Sequence, residues 1–178
     1  MEKKNIKIAI SGRSGCGNTT VSRMAADALG LRFINFTFRS LAKERNLDLK
    51  NILELASKDD SIDIEVDTRQ VALAREDGGC VLGSRLAIWM LKEADLKIYL
   101  DAKPQTRAQR IVNREGGNHD EVAAFTADRD RQDHERYLRI YNIDTDDFNF
   151  ADLIIDTDNI SPQQITDLII NKVNEIIN

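Results

Sequence analysis

Ile8-Ala9-Ile10-Ser11-Gly12-Arg13-Ser14-Gly15-Cys16-Gly17-Asn18-Thr19-Thr20 is the stretch that decides the fold. An apolar run enters a turn with three glycines, and helical periodicity begins at Asn18 or Thr19. Glycine lets the main chain curl so that consecutive N–H groups point inward, a nest for anionic oxygens. The helix start adds unpaired N–H groups and the positive end of its dipole. The spacing is Gly-x4-Gly-x-Thr, a phosphate-binding loop at every position but one. Asn18 stands where a lysine is usual, and Thr19 where a hydroxyl ordinarily ligates magnesium. Two plainer readings stay open: a glycine-rich turn without nucleotide, and a phosphate loop whose chemistry went with the lysine.

Outward from the loop, strands and helices alternate. Residues 5–11, 31–36, 80–83, 96–101 and 151–156 read as strands, several of them short apolar runs. Residues 18–29, 38–45, 49–57, 61–77, 86–92, 104–115, 120–141 and 162–177 read as helices. Gly30, Gly78-Gly79 and Gly116-Gly117 mark stops, and Pro104 and Pro162 mark starts. This order predicts an α/β fold with a parallel sheet covered by helices on both faces. Ligands of such sheets bind beyond the carboxyl ends of the strands, where the glycine loop and Ser84-Arg85 both fall. No linker or repeat divides the 178 residues, so one domain is expected.

Composition narrows the partners. The net charge of −5 is uneven: eight acidic residues and one lysine follow Ile140, leaving the rest slightly basic. No long basic run exists and aromatics are 6% of the chain, which argues against a nucleic-acid polymer. No run of 18 apolar residues predicts a membrane span, and two cysteines without metal spacing fit a reducing cytoplasm. Cys16 lies in the nest, where positive potential could lower its pKa and make it oxidisable; more often such a cysteine is simply a small residue that fits the loop. His119 and His134 lack metal-ligand spacing and read as surface residues, and Trp89 reads as core.

Fifteen of the 25 basic residues are arginines. Arg107, Arg110 and Arg114 share one helix face, as do Arg129, Asp133 and Arg136 on the next helix. Gly116-Gly117 between them is a natural hinge, so residues 104–141 read as a closing lid. The planar guanidinium binds phosphate oxygens bidentately and stays charged, which suits phosphoryl transfer. Arg39 and Arg85 are placed to hold a second, accepting phosphate. Solvated faces with local ion pairs are the alternative for any single arginine, and Arg131–Glu135 at i,i+4 is expected to be one.

The sequence resembles the nucleoside monophosphate kinases, and most of all the short cytidylate kinases of archaeal type. The likeness runs through Ile10-Ser11-Gly12 and the loop, Arg39 with Ala42, and Ile62-Asp63…Val66-Asp67-Thr68-Arg69. It continues in Ser84-Arg85-Leu86-Ala87-Ile88-Trp89, Arg107…Arg110…Arg114-Glu115-Gly116, Arg136-Tyr137…Tyr141-Asn142-Ile143-Asp144 and Ala151-Asp152-Leu153-Ile154-Ile155-Asp156-Thr157. The resemblance implies a three-layer P-loop NTPase fold with five parallel strands and a helical lid. It implies phosphoryl transfer from ATP to CMP or dCMP with Mg2+, by a monomer or homodimer.

Gly12, Arg13, Ser14, Gly15, Cys16, Gly17, Asn18, Thr19 and Thr20 would then cradle the ATP phosphates, with Thr19 holding the metal. Arg39, Arg85 and Arg136 would grip the acceptor phosphate. Arg129 and Asp133 would meet the nucleoside, and Asp67 would lie on the acceptor side, within helices spanning about 37–77. Arg107, Arg110 and Arg114, with Asn18, would surround the moving phosphoryl group.

Three positions depart from relatives: Asn18 for lysine, Gly83 for a frequent carboxylate, and Phe36-Thr37 for a Gly-Asp pair. A nucleotide-binding regulatory module with weak or no catalysis, or a kinase of another small acceptor, are the alternatives on the same fold.

Overall fold

Residues 5–177 are described by a computed structural model. Strand β1 (Lys7–Gly12) lies at the centre of a five-stranded sheet ordered β2-β3-β1-β4-β5. The other strands are β2 (Arg32–Ile34), β3 (Cys80–Gly83), β4 (Leu96–Asp101) and β5 (Leu153–Asp156). All pairings are parallel; Ile10 aligns with Gly83 on one side and Ile98 on the other. The carboxyl ends of β1 and β3 therefore open at the same edge.

Side chains alternate across the pleat, and this builds two cores. Ile8, Ile10, Val81, Ile98 and Leu100 face helices α1 (Asn18–Leu29) and α8 (Pro162–Ile177), meeting Val21, Ala25, Ile165, Ile169 and Val173. Ala9, Leu82 and Tyr99 face the opposite way, against Val71 and Ala74 of α4 (Ser61–Arg75) and Ala87 and Ile88 of α5 (Ala87–Met90). The expected three layers are present. Trp89 is half-buried, packed edge-on against Tyr99 with ring centres 6.1 Å apart, and donates from Nε1 to the Asp147 carbonyl at 3.2 Å.

A third apolar cluster stands apart from the sheet. Phe36, Leu41, Ala42, Ile52, Ile62 and Val66 pack together between α2 (Phe38–Glu44), α3 (Leu49–Ala56) and the first half of α4. α4 thus carries apolar residues on two faces, one for this cluster and one for the sheet. Thr37 caps α2 and Asp48 caps α3 through side-chain oxygens that accept backbone N–H groups.

Helices α6 (Pro104–Glu115) and α7 (His119–Tyr141) pair across the Gly116-Gly117 break, where φ is +81° and +105°. α7 starts at His119, one residue before the sequence suggested, because the Asn118 side chain caps it by accepting from Asp120 and Glu121 N–H groups. Strand β2 is shorter than expected and ends at Ile34. Among the described residues no helix is long and apolar enough to cross a membrane.

Candidate active site

The loop after β1 is cupped. Gly15 and Gly17 both take left-handed φ values, +84° and +91°, and Cys16 N–H donates to the Arg13 carbonyl at 3.2 Å. Gly17 caps α1 without a side chain, so the first N–H groups of the helix stay free for a ligand. The loop forms the floor of a cavity of about 650 Å³ at the carboxyl ends of β1 and β3. Gly12 through Thr20 all line it. Cys16 is 1% exposed, and burial outweighs the nearby Arg107 charge and pushes its thiol up to about 11. It is a small residue that fits the loop.

Asn18 is turned toward the protein. Its Nδ2 donates to the Ser84 carbonyl at 3.1 Å, and its Oδ1 accepts from the fully buried Ser22 hydroxyl at 2.9 Å. The amide thus fastens the start of α1 to the turn after β3. Gly83 belongs to the same knot. A Cβ there would lie 2.5 Å from Ser22 Oγ and 3.3 Å from Asn18 Oδ1, so no carboxylate side chain fits at the end of β3. Asn18→Lys is therefore expected to lower activity rather than restore it. It strands the Ser22 hydroxyl and the Ser84 carbonyl, a cost of about 1–3 kcal/mol. We expect a melting point lower by about 5 °C and roughly tenfold slower turnover. Thermal unfolding and an ADP-release assay check this; a faster enzyme would overturn it.

Arg85, Arg110, Arg114, Arg129 and Arg136 line the cavity, as does Asp133. Arg107 does not. It is 3% exposed, pairs with Asp130 at 2.7 Å and donates to the Ser14 carbonyl at 3.1 Å, so it braces the loop against α7. The sequence placed it beside the moving phosphoryl group; here it stands outside the cavity lining. Arg39 lies exposed on α2, outside the cavity lining. Arg110 donates to the Gly15 carbonyl at 3.4 Å and to Thr157 Oγ1 at 2.9 Å. Arg114 pairs with Glu115 at 2.6 Å, and Arg13 pairs with Asp146 at the cavity rim. Arg131 bonds to Glu135 at 2.9 Å, the surface pair that its spacing suggested.

Elsewhere in the cavity lining, Asp133 is held by two guanidinium groups, Arg85 and Arg136, the latter at 2.7 Å. Arg136 also reaches Asp63 at 3.1 Å, and Arg85 donates to the Ser14 hydroxyl of the loop. Burial first, and then the Arg129 charge, push Arg85 down to about 10, still protonated at neutral pH. Asp67 accepts from the Tyr141 hydroxyl at 2.9 Å. Burial pushes it up to about 6, against the hydrogen bond from Tyr141.

Sequence reading missed Ser22 and Gln70, which carry no motif, and the grouping of His134 with Asp144 and Asp146 at the rim. Those three ligand atoms lie within 4.8 Å of one another because the chain folds back after α7. His134 Nδ1 is 3.0 Å from Thr145 Oγ1.

Residues 7–159 match the cytidylate kinase-like family. The chain is 48% identical over 174 residues to cytidylate kinase 2 of Borreliella afzelii, covering 96% of this chain and 97% of that one. It is 41% identical over 167 residues to the cytidylate kinase of Pyrococcus horikoshii, covering 93% and 86%. Shikimate kinase from Acinetobacter baumannii in complex with shikimate has the same fold, with a TM-score of 0.66 at 17% identity, covering 97% and 95%. A cupped glycine loop and a cluster of arginines face one cavity on a five-stranded parallel sheet, and the match spans most of the chain: it belongs to the cytidylate kinase-like family.

Proposed function

We propose that the chain moves the γ-phosphoryl group of ATP to CMP or dCMP, giving ADP and CDP or dCDP. One observation carries the reading: a nest for one set of phosphates and the Arg85–Arg129–Arg136 group for another line the same cavity. Phosphoryl transfer needs little covalent chemistry from the protein, so positioning and electrostatic stabilisation suffice. The loop N–H groups and the α1 terminus hold the triphosphate. Arg110 and Arg114 approach from the lid, residues 104–141, over the transferring group. Arg85 and Arg136 hold the acceptor phosphate, which takes the place of the Asp133 carboxylate between them. Arg129 and Asp133 then meet the nucleoside. The acceptor lies against the helices of residues 37–77, and Arg39 reaches it only once they close.

The residues present fit magnesium. Thr19 offers a hard hydroxyl oxygen on the cavity wall, and the knot around Gly83 leaves no room for a carboxylate there. Magnesium keeps several waters and binds through phosphates plus one or two protein oxygens, which this donor set matches. When bound, it would neutralise charge on the β- and γ-phosphates.

An ADP-release assay with CMP, dCMP, UMP and AMP tests the reading. The cytosine nucleotides are expected to give the fastest turnover. Background rates with all four would reject it.

A further inference from the structure

Gln70 has no part in the chemistry above, yet it is buried in the cavity wall. It is 5% exposed on α4, and its Oε1 has no hydrogen-bond partner among the described residues. A buried amide oxygen without a donor is costly to a fold, and in a cavity wall it points to a ligand that brings one. Asp67 stands three residues earlier on the same helix face and lines the same cavity. Tyr141 occupies its Oδ2, leaving Oδ1.

We propose that Gln70 and Asp67 read the Watson–Crick edge of the acceptor's base and select an exocyclic amino group over a carbonyl oxygen. This rests on the monophosphate-kinase reading above. Cytosine presents an amino donor beside a ring-nitrogen acceptor. The Gln70 amide answers both, accepting at Oε1 and donating at Nε2. Uracil presents the reverse pattern, and an amide turned over by 180° meets that equally well, so Gln70 alone supplies affinity without choice. An ionised carboxylate only accepts, so Asp67 favours the amino group and repels a carbonyl. Tyr141 and Arg136 of α7 and Asp63 of α4 act on Asp67, and with its burial they leave it ionised at pH 8.

The test uses the full chain at pH 8, with the Gln70→Leu and Asp67→Asn variants. Steady-state rates with CMP and UMP are joined by calorimetric binding of CMP and of ribose 5-phosphate, which has no base. Gln70→Leu is expected to raise KM for CMP about tenfold or more. It should leave KM for ATP and the affinity for ribose 5-phosphate unchanged. Its melting point should not fall, because no internal bond to Oε1 is lost. Asp67→Asn should shrink the CMP-over-UMP preference by about tenfold. Unchanged CMP kinetics in Gln70→Leu, an unchanged preference in Asp67→Asn, or equal weakening of ribose 5-phosphate overturns the proposal. Wild-type protein that binds CMP more tightly than ribose 5-phosphate but turns over no monophosphate refutes the kinase reading and supports the base reader. Equal binding of the two refutes the base reader.

Discussion

Gly15→Ala is expected to abolish detectable Mg-ATP binding and to cut kcat/KM for ATP by about a hundredfold or more. The φ of +84° already costs an alanine about 1–2 kcal/mol. The larger obstacle is α6. A Cβ at Gly15 would lie 2.7 Å from the Arg107 carbonyl oxygen, 2.8 Å from its Cβ and 2.9 Å from its Cα. These are backbone and near-backbone atoms that cannot swing aside. Arg107 is fixed besides, by Asp130 and by the loop's own Ser14 carbonyl. The loop must therefore lose its cup or push α6 away, and either ruins the nest. Gly30→Ala is the control: φ is +68° there, but nothing lies within 4 Å. That variant should lose a little stability and keep its ATP affinity. Calorimetry with Mg-ATP and thermal melting separate the two. Intact ATP binding by Gly15→Ala would sink the phosphate-nest assignment.

Arg85→Met should lower kcat/KM for CMP by about 10²–10³-fold while sparing ATP affinity. Arg85 touches both the Ser14 hydroxyl of the loop and Asp133, on the side proposed for the acceptor. Burial and the nearby Arg129 depress its pKa, so a phosphate dianion entering there relieves a crowd of positive charge. Methionine keeps much of the volume and removes the fork. Arg85→Lys should recover little, since an ammonium cannot bridge two acceptors in the plane of a guanidinium. The readout is KM and kcat for CMP beside calorimetric ATP binding; an unaltered KM for CMP would remove Arg85 from the acceptor site.

Local punctuation made most of the fold legible. Pro104 and Pro162 start their helices and Gly30 ends α1 where the sequence suggested. The apolar run of β1 foretold its two buried faces, and the spacing of Arg129, Asp133 and Arg136 foretold their common wall. What stayed hidden depends on approach between distant segments. Arg107 shares its helix face with Arg110, but α6 comes so close to Gly15, and Asp130 so close to Arg107, that the side chain is captured as a brace. Asn18 looked like a weak stand-in for lysine. Its true partners, Ser22 and the Ser84 carbonyl, meet it only because α1 packs on β3 at Gly83. Gln70 sits within an ordinary helix, and only the open space beside it sets it apart.

The small apolar cluster of Phe36, Leu41, Ala42, Ile52, Ile62 and Val66 is sealed without help from the sheet. Its opening free energy is consequently separable from that of the body that seats the loop. On the proposed reading, a substitution such as Ile52→Val is expected to change how α2 and α3 close on the monophosphate while sparing the grip on ATP. α4 contributes Ile62 and Val66 to this cluster and Val71 and Ala74 to the sheet's, so a shift of that one helix is felt by both.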